Sequence, residues 1–435
     1  MAKAKKVDVV TMGCSKNLVD SEFLIRQFKA NNIQVAHDPE VPDSEVAIVN
    51  TCGFIGDAKE ESVDTILEFV EAKKRGDIKQ LYVMGCLSER YPGQLKKELP
   101  EVDKFFGKFN WKEIITEVGA SYRRDLMNER SLTTPNHYAY LKISEGCNRT
   151  CSYCAIPLIT GKHQSRKMED LLDEAKRLAD GGVKELQVIA QDLSFYGYDL
   201  YKEYRLPKLV DELAKINGIE WIRLHYAYPA GFPLDVLKVM HDNPKVCNYI
   251  DIALQHISDN MLEKMRRNVR KSQTYKLIEE MRKQVPDIHL RTTFITGHPG
   301  ETEQDFREME EFVKDVRFER LGVFPYSHEE DTYAAKKYQD DIPEEVKQER
   351  ADRIMEIQNG IAAELNRDKI GKDLKVIVDR EEGDYFIGRT EYDSPEVDQE
   401  VLLHKEENEE LTIGDFYQVE ITDAEDYDLF GIAKI

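Results

Sequence analysis

Residues 138–154 of this chain read YAYLKISEGCNRTCSYC, a strand-like run that leads into three closely spaced cysteines. Three thiolates within eight residues, Cys147, Cys151 and Cys154, can ligate three irons of a four-iron cluster. No fourth cysteine follows at a matching spacing, so one iron would lack a protein ligand and could bind another molecule directly. The alternative is a structural zinc knuckle, but zinc at such sites normally needs four protein ligands and the neighbouring residues supply only three.

The cysteine motif opens a longer series of strand–helix units. Strands that alternate with amphipathic stretches such as Glu169–Leu178 predict a parallel sheet. Six such units fit an open, partial (β/α)6 barrel better than a closed eight-unit barrel, and barrels of this kind place their chemistry at the carboxyl ends of the strands. The strand candidates are Tyr140–Ser144, Glu185–Ala190, Trp221–Tyr226, Tyr249–Leu254, His289–Ile295 and Leu321–Tyr326.

A second group of cysteines follows the strand-like runs of the first hundred residues. Each run ends in a small residue and then a cysteine: Val7–Met12 precedes Gly13-Cys14, Val46–Asn50 precedes Thr51-Cys52, and Leu81–Met84 precedes Gly85-Cys86. Parallel strands bring all three cysteines to one edge of a sheet, and that edge binds ligands in such folds. One of these cysteines alone would be an ordinary buried residue. Three at equivalent places in successive units favour a metal cluster.

The remaining sequence predicts a long helix and a small β-rich module. The helix prediction rests on Pro343, an apolar stripe at helical spacing and Gly371. Short β-like runs then suggest a small barrel, and they are Lys375–Asp379, Tyr385–Thr390, Glu400–His404, Tyr417–Thr422 and Phe430–Ile435. We therefore predict an α/β fold with these segments: an N-terminal parallel α/β cluster domain (1–120), a linker (121–135), the barrel core (136–342), a connecting helix (343–370) and an acidic all-β barrel (371–435).

Composition bounds the class of protein. Of 435 residues, 41% are apolar and 33% charged, as in soluble proteins of two or three domains. We find no apolar run of membrane-spanning length and no signal-peptide pattern, so we expect no membrane association and a cytoplasmic location. Seven cysteines, an odd number, favour metal or redox chemistry over a disulfide framework.

The C-x3-C-x2-C spacing after a strand, with Tyr153 before the last cysteine, resembles the radical S-adenosylmethionine superfamily. The resemblance implies that the open iron chelates S-adenosylmethionine, whose reductive cleavage gives a 5′-deoxyadenosyl radical that abstracts hydrogen from an unactivated carbon. It also implies a set of cofactor-binding residues: Tyr153 near the adenine, Gln191 and Asp192 near the methionine moiety, and Gln255, Gly297, Gly300 and Glu301 around the remaining pocket. Taken alone, Gln191-Asp192 could cap a turn, and the glycines could be turn residues.

Nearly the whole chain resembles the methylthiotransferases. By this resemblance Cys14, Cys52 and Cys86 hold a second cluster with an open iron, which supplies sulfur, and the last module resembles the TRAM domain, which presents the substrate. The cofactors would be two [4Fe-4S] clusters and S-adenosylmethionine. The family reaction replaces C–H by C–S–CH3, with one S-adenosylmethionine giving the methyl group and another the radical.

Two branches of this family differ in substrate, which is either an adenosine of tRNA or an aspartate β-carbon of a small-subunit ribosomal protein. Residues 13–22 (GCSKNLVDSE), 191–194 (QDLS) and 391–398 (EYDSPEVD) resemble the ribosomal-protein branch. That branch commonly has Pro where Ser15 stands. We predict methylthiolation of an aspartate of ribosomal protein S12, with a tRNA adenosine methylthiotransferase as the alternative. A non-catalytic iron–sulfur carrier would need neither the barrel nor an open iron.

The C-terminal module is strongly acidic. Residues 373–435 contain 20 acidic and 5 basic residues, a net charge of −15 out of −22 for the chain. Because phosphate contacts dominate RNA binding, we expect a basic ribosomal protein, free or in the small subunit, as the partner and no direct RNA binding by this module. The acid could instead only solubilise the module. The predicted docking residues are Glu406, Glu407, Glu409, Glu410, Asp423, Glu425, Asp426 and Asp428.

Other features receive an ordinary interpretation. The resemblance requires an electron donor and a sulfur source, and the identity of both is left open. The basic run of Arg266, Arg267, Arg270 and Lys271 could contact substrate or ribosomal RNA, but we predict that it is a solvated helix face, and we predict that Cys247 is an ordinary cysteine. The histidines near strand ends are predicted to be hydrogen-bonded residues without a special role, and they are His163, His225, His256 and His298.

Overall fold

The computed structural model describes residues 4–408 and 410–434. The N-terminal domain has the strands β1 (Lys6–Thr11), β2 (Gln34–His37), β3 (Ser44–Thr51), β4 (Ile78–Gly85) and β5 (Lys104–Phe105). All pair in parallel, in the order β2-β1-β3-β4-β5. Their helices are α1 (Ser15–Ala30), α2 (Gly56–Arg75), α3 (Cys86–Arg90), α4 (Pro92–Glu98) and α5 (Trp111–Glu117).

The central domain is an open barrel. Its strands are β6 (Tyr138–Lys142), β7 (Ser144–Glu145), β8 (Gln164–Ser165), β9 (Glu185–Ile189), β10 (Trp221–Ala227), β11 (Val246–Ile252), β12 (His289–Thr296) and β13 (Arg320–Pro325). Six of them pair in parallel in the order β6-β9-β10-β11-β12-β13, while β7 and β8 form a separate pair. The helices are α6 (Ile156–Thr160), α7 (Met168–Asp180), α8 (Tyr198–Tyr201), α9 (Leu206–Ala214), α10 (Asp235–Asp242), α11 (Asp259–Lys264), α12 (Lys271–Gln284), α13 (Glu303–Val316) and α14 (Tyr333–Lys337).

A long helix leads from this barrel into a small closed one. Helix α15 (Glu344–Arg367) begins directly after Pro343. The strands β14 (Asp373–Glu382), β15 (Tyr385–Thr390), β16 (Val401–His404), β17 (Phe416–Ala424) and β18 (Leu429–Lys434) close in the order β14-β15-β16-β18-β17. Closure leaves this module without a free sheet edge.

The central sheet has an apolar outer face and a polar inner face. Leu141, Val188 and Ile222 belong to the core that the strands share with the covering helices. Gln187 and Arg223 occupy alternate positions and so lie on the inner face, where they are also buried. Buried polar groups need hydrogen-bond partners, and several of these partners come from the C-terminal module.

Residues 389–398, which we call the closing segment, cross the amino-terminal end of the central barrel. Their polar contacts reach all of its six strands: Glu396 with Tyr138 and Tyr140 of β6, Arg389 with Glu185 of β9, the Glu391 carbonyl with Arg223 of β10, Asp398 with Tyr249 of β11 and Arg291 of β12, and Asp393 with Arg320 of β13. The partners lie near the strand starts. The module therefore covers the end of the barrel opposite to the cysteine motif.

The predicted fold class is confirmed in all its parts: a parallel N-terminal α/β domain, an open six-stranded barrel and a small closed β-barrel. Strand β2 was not predicted, because it has only four residues and none of them is fully buried. The region predicted as a linker is firmly held. Within it, Arg130 pairs with Glu22 at 2.5 Å and with Glu174 at 2.8 Å. None of the helices within the described ranges is long and apolar enough to cross a membrane.

Candidate functional site

Cys14, Cys52 and Cys86, the first thiol set, follow β1, β3 and β4 at the carboxyl edge of the N-terminal sheet. Glycines allow these loops to approach one another. Gly13 has a φ of +85°, and a Cβ on it would lie 2.7 Å from Cys52 Cβ. A Cβ on Gly53 would lie 2.8 Å from the carbonyl carbon of Cys86. Any side chain at either glycine would push the three cysteine loops apart.

The thiols of the first set differ in their electrostatic surroundings. Burial raises the pKa of Cys52, and it raises the pKa of Cys86 to about 12. Desolvation also acts to raise the pKa of Cys14, but the ammonium groups of Lys16 and Lys108 and backbone hydrogen bonds lower it below its usual value. The thiols are close enough to repel one another when ionised. A metal centre between them would remove that repulsion and favour the thiolates.

A buried polar cluster adjoins the first thiol set. Asn17 Oδ1 lies 3.6 Å from Cys86 Sγ and accepts a hydrogen bond from Lys108 Nζ at 3.2 Å. Lys108 also pairs with Asp20 at 2.9 Å, and both side chains are only 2% exposed. The other carboxylate oxygen of Asp20 pairs with Lys142 of β6. Asp20 therefore lies between two ammonium groups, one from each of the first two domains.

The polar contacts continue into the barrel. Lys142 Nζ pairs with Glu145 at 2.9 Å, and Glu145 accepts a hydrogen bond from Gln191 Nε2. Burial acts to raise the pKa of Glu145, but the charges of Lys142 and Lys108 outweigh it and lower the pKa to about 2. Glu145 stands two residues before Cys147. The polar contacts thus extend from Cys86 to Glu145, which is close in sequence to the second group of cysteines.

Cys147, Cys151 and Cys154, the second thiol set, lie in the loop between β7 and α6. The Cys147 amide donates to the Gly161 carbonyl at 3.1 Å, and the Arg149 amide lies 3.4 Å from Cys147 Sγ. Burial raises the pKa of Cys147 to about 11 and also raises the pKa of Cys154, and repulsion from Cys151 adds to both shifts. The loop therefore gathers three mutually interacting thiols at the barrel mouth.

Arg267 lies against this loop. The sequence did not predict this contact. Arg267 is 2% exposed, and its Nη1 donates to Cys151 Sγ at 3.4 Å and to the Tyr153 hydroxyl at 3.1 Å. Its guanidinium group packs on the Tyr228 ring, 4.2 Å from the centroid. The prediction of a solvated helix face is therefore wrong for Arg267, although Arg270 in the same run is exposed. A guanidinium donor stabilises a thiolate ligand.

The two thiol sets lie on facing surfaces. Cys86 packs with Ala155 and Ile159 in one small apolar cluster, and Ala155 directly follows Cys154. Nearby, Arg90 of the N-terminal domain pairs with Glu329 of the central domain at 2.6 Å, and these side chains are 5% and 3% exposed. The cysteine edge of the N-terminal sheet therefore covers the mouth of the barrel.

Two predicted cofactor-binding residues, Gln191 and Gln255, carry polar atoms without a partner. Within the described residues, the buried Oε1 atoms of both accept no hydrogen bond. They follow β9 and β11 at the mouth. Gln255 has a φ of +69° and Tyr226, at the end of β10, a φ of +67°, and strained backbone of this kind clusters at binding sites. Buried acceptors without donors fit a ligand that carries N–H or O–H groups, as S-adenosylmethionine does.

The predicted residues Tyr153 and Asp192 have protein partners as well. The Tyr153 ring lies edge-on to His298, with centroids 6.5 Å apart. Asp192 pairs with Arg149 at 2.7 Å and accepts a hydrogen bond from the Ser194 amide at 2.9 Å. Asp192 therefore caps the turn after β9 and orients an arginine of the cysteine loop.

The predicted pocket loop 297–301 packs against other parts of the chain. A Cβ on Gly297 would lie 2.1 Å from Lys347 Cγ, and a Cβ on Gly300 would lie 2.2 Å from a lysine ammonium. Glu301 accepts a hydrogen bond from the Gly297 amide at 2.7 Å and pairs with Arg350 of α15 at 2.8 Å. These contacts join the loop to the connecting helix.

The predicted docking residues lie on the C-terminal barrel. Asp428 departs from the prediction of an exposed acidic surface, because it is half-buried and accepts a hydrogen bond from the Glu400 amide at 3.3 Å. Glu409 lies outside the described residues. The others are exposed: Glu406, Glu407, Glu410, Asp423, Glu425 and Asp426.

Cys247 and the four histidines that were given an ordinary interpretation are buried or hydrogen-bonded within the fold. Cys247 is buried with Trp221 and Tyr249 in an apolar cluster. The histidines are all hydrogen-bonded: His163 to Ser165, His225 to Gln187, His256 to the Ile257 amide, and His298 to Ser152.

The donor atoms of both thiol sets suit an iron–sulfur cluster. Within residues 4–408 and 410–434, no three His, Cys, Asp or Glu side chains are placed to hold one metal ion in common. A four-iron cluster is larger than an ion, and each cysteine binds a different iron, so its thiolates stand farther apart. Thiolate-only donor sets favour iron–sulfur clusters or zinc over hard cations.

An open six-stranded parallel barrel with three cysteines after its first strand defines a radical S-adenosylmethionine protein. Residues 141–313 match the Radical SAM superfamily, residues 6–107 match the Uncharacterized protein family UPF0004, and residues 370–433 match the TRAM domain. The structure of the radical S-adenosylmethionine methyltransferase TsrM from Kitasatospora setae, with cobalamin and a [4Fe-4S] cluster bound, aligns with a TM-score of 0.54 at 14% identity. The alignment covers 74% of this chain and 75% of that one. This likeness shows a shared fold.

Curated relatives are similar over the full length. The ribosomal protein uS12 methylthiotransferase RimO of Bacteroides thetaiotaomicron is 62% identical over 99% of this chain and 98% of the relative. The protein of the same name from Porphyromonas gingivalis (strain ATCC 33277) is 61% identical over 99% of both chains. That from Christiangramia forsetii is 56% identical over 99% of this chain and 94% of the relative. The chain belongs to the RimO family of methylthiotransferases.

Proposed function

We propose that this chain transfers sulfur and a methyl group to the β-carbon of an aspartate of ribosomal protein uS12, as the names of its full-length relatives indicate. The second thiol set would hold the [4Fe-4S] cluster that binds S-adenosylmethionine, and the first thiol set would hold another. The observation that carries the proposal is the packing of Cys86 against Ala155, the neighbour of Cys154, because it brings the two thiol sets together over one barrel mouth.

Facing thiol sets suit a reaction in which one carbon must meet two centres. When bound, the clusters and S-adenosylmethionine supply a carbon-centred radical together with the sulfur and methyl group that this carbon receives. The chain itself supplies position, which can account for a large part of a rate enhancement. A single domain with one thiol set could generate a radical or store sulfur, but it could not present both to the same atom.

Individual side chains support this assignment. Arg267 would stabilise the Cys151 thiolate through its hydrogen bond at 3.4 Å. Gln191 and Gln255 would accept hydrogen bonds from the polar groups of S-adenosylmethionine, since their buried Oε1 atoms accept none from the described residues. The N-terminal domain above the mouth and the closing segment below would keep water from the barrel interior.

The acidic C-terminal surface supports a basic protein as substrate. Six of the predicted docking residues are exposed on this module. Opposite charges speed association, and the effect weakens with salt, because the Debye length is roughly 8 Å at physiological ionic strength. We propose that uS12, free or within the small subunit, approaches this surface, in the cytoplasm and with a separate electron donor.

Iron analysis of cysteine variants tests the presence of two clusters. Alanine at all of Cys147, Cys151 and Cys154 should halve the iron and sulfide of the reconstituted protein, and alanine at all of Cys14, Cys52 and Cys86 should do the same. The matched control is Cys247→Ala, which should keep full iron because this buried cysteine belongs to neither set. Full iron in either triple variant would remove that thiol set from the proposal.

A second experiment separates the two roles. The variant without the first thiol set should still cleave S-adenosylmethionine to 5′-deoxyadenosine, but it should give no methylthio product. Mass spectrometry of uS12 and of tRNA after incubation with the wild-type protein identifies the substrate. Modified adenosine together with unmodified uS12 would show that the tRNA alternative is correct.

A further inference from the structure

Two buried ammonium groups share one buried carboxylate where the N-terminal domain meets the barrel. The side chains of Lys108, Asp20 and Lys142 are 2%, 2% and 8% exposed. Removing an ion from water costs several kcal/mol, and apolar residues of similar size often fill such places at no loss of stability. Stability of the domain contact alone therefore gives no reason for this arrangement.

The position of Lys108 suggests the reason. The amide oxygen of Asn17 lies between the Lys108 ammonium and Cys86 Sγ. It is 3.2 Å from Lys108 Nζ and 3.6 Å from the sulfur. The charge of Lys108 acts on Cys14 as well as on Cys86. Three thiolates would make this place strongly negative, and because Cys52 and Cys86 are buried, such a centre needs a nearby positive charge. Asp20 fixes the position of the ammonium, since it accepts from Lys108 at 2.9 Å.

The same carboxylate ties the charge to the second domain. Asp20 is held by Lys142, which pairs with Glu145 at 2.9 Å, just before the second thiol set. A shift of the N-terminal domain would separate Asp20 from Lys142, and the carboxylate would then be held by Lys108 alone. The position of the Lys108 ammonium therefore depends on the docking of the two domains.

We propose that Lys108 is a positioning residue of the first thiol set. Its ammonium, held by Asp20 and Lys142, compensates the negative charge of the thiolates and of the cluster that they bind, and so raises the reduction potential of that cluster. The inference rests on the proposed function, because it requires a cluster on the first thiol set.

The test measures one cluster at a time in the full-length chain. A background with alanine at Cys147, Cys151 and Cys154 leaves only the first thiol set. Lys108→Met and Lys108→Arg are then compared in this background, with Lys104→Met as the matched control. Lys104 is 44% exposed and pairs with Glu117 on the surface, so its charge is screened by water.

A redox titration followed by electron paramagnetic resonance gives the potential of the remaining cluster. Loss of a buried charge so close to the cluster should lower the reduction equilibrium constant at least tenfold, which is about 59 mV for a one-electron couple. Lys108→Arg and Lys104→Met should stay near the background value. The shift in Lys108→Met measures charge and does not depend on turnover.

Each outcome decides the inference. A lowered potential in Lys108→Met alone supports it, and so does loss of the cluster in Lys108→Met when Lys108→Arg keeps it. An unchanged potential at full iron content, or equal loss of iron in both variants, would overturn the role of Lys108. Absence of iron from the background protein itself would instead contradict the proposed function, so the two failures are distinguishable.

Discussion

Replacement of Glu185 by glutamine should detach the C-terminal module from the barrel. Glu185 is fully buried at the start of β9, and its carboxylate pairs with Arg223 at 2.9 Å and with Arg389 of the closing segment at 2.7 Å. Glutamine keeps the shape but removes the negative charge, so Arg223 is left with neutral acceptors, which are the glutamine oxygen and backbone carbonyls. Loss of one partner of a buried ion pair costs about 3–5 kcal/mol. The equilibrium between docked and detached module should therefore fall roughly 10²- to 10⁴-fold.

Tryptophan fluorescence can follow this change. Trp221 of β10 packs edge-on against Phe416 of β17, with centroids 4.8 Å apart, and the chain has only 2 tryptophans. In a Trp111→Phe background, emission therefore reports the contact between barrel and module. In Glu185→Gln, the change in Trp221 emission should occur at a lower urea concentration than in the background protein. It should also occur at a lower urea concentration than the loss of helical circular dichroism.

A surface pair provides the control. Glu364 of α15 pairs with Arg317 at 2.7 Å, but the two side chains are 58% and 42% exposed. Glu364→Gln should leave the Trp221 transition where it is, because water screens such pairs. If Glu185→Gln and the control gave the same transition, the buried ion pairs would not be what holds the module, and the reasoning would be refuted.

Three more predictions concern the site and its pH dependence. Arg267→Met should lower the rate of S-adenosylmethionine cleavage about tenfold, because a charged hydrogen bond is worth about 1.5–3 kcal/mol. It should also lower the reduction potential of the cluster on the second thiol set. Cleavage at the wild-type rate would contradict this prediction. Co²⁺ uptake by the metal-free protein, measured by the absorbance of the cobalt–thiolate bonds, should rise with pH. Burial raises the pKa of Cys147 to about 11, and these thiols must lose their protons to bind a metal. Uptake that does not change with pH would argue against thiolate ligation. Burial acts to raise the pKa of Asp379, but Arg389 and a hydrogen bond from His137 lower it to about 2. The depressed pKa stabilises the folded state by about 2 kcal/mol above pH 4, and this is lost as the pH falls from about 4 towards 2. Trp221 emission should report this loss of stability at low pH, and Asp379→Asn should remove the pH dependence.

The cysteines could be predicted from the sequence because their positions follow from local rules. Each of Cys14, Cys52 and Cys86 ends a strand-like run, and parallel connectivity is enough to bring them to one edge. The spacing of the second thiol set predicts a cluster site without any knowledge of the fold. In both cases the predicted metal ligands are residues that are close in sequence or that occupy equivalent positions in repeated strand–helix units.

The supporting side chains could not be predicted in this way. Lys108 reaches Asn17 across 91 residues of sequence, and nothing near Lys108 marks it as buried. Arg267 belongs to a run of like charges, which usually indicates a solvated surface. The turn between α11 and α12 instead directs this one side chain inward. Their roles depend on tertiary neighbours, which periodicity does not encode.

The closing segment also has a consequence for the order in which this protein matures. The floor of the reaction chamber is supplied by residues 389–398 of a 435-residue chain, so it is made after every cysteine has left the ribosome. Until then Glu185 lacks Arg389 as a partner, and the other polar residues at the strand starts lack the closing segment's contacts. A nascent chain therefore passes through a stage in which all six cysteines of the two thiol sets are present but the amino-terminal end of the barrel is open. Under the proposed function, iron and sulfide delivered during synthesis would meet this unsealed form, whereas repair of a damaged cluster in the finished protein would have no access through this end.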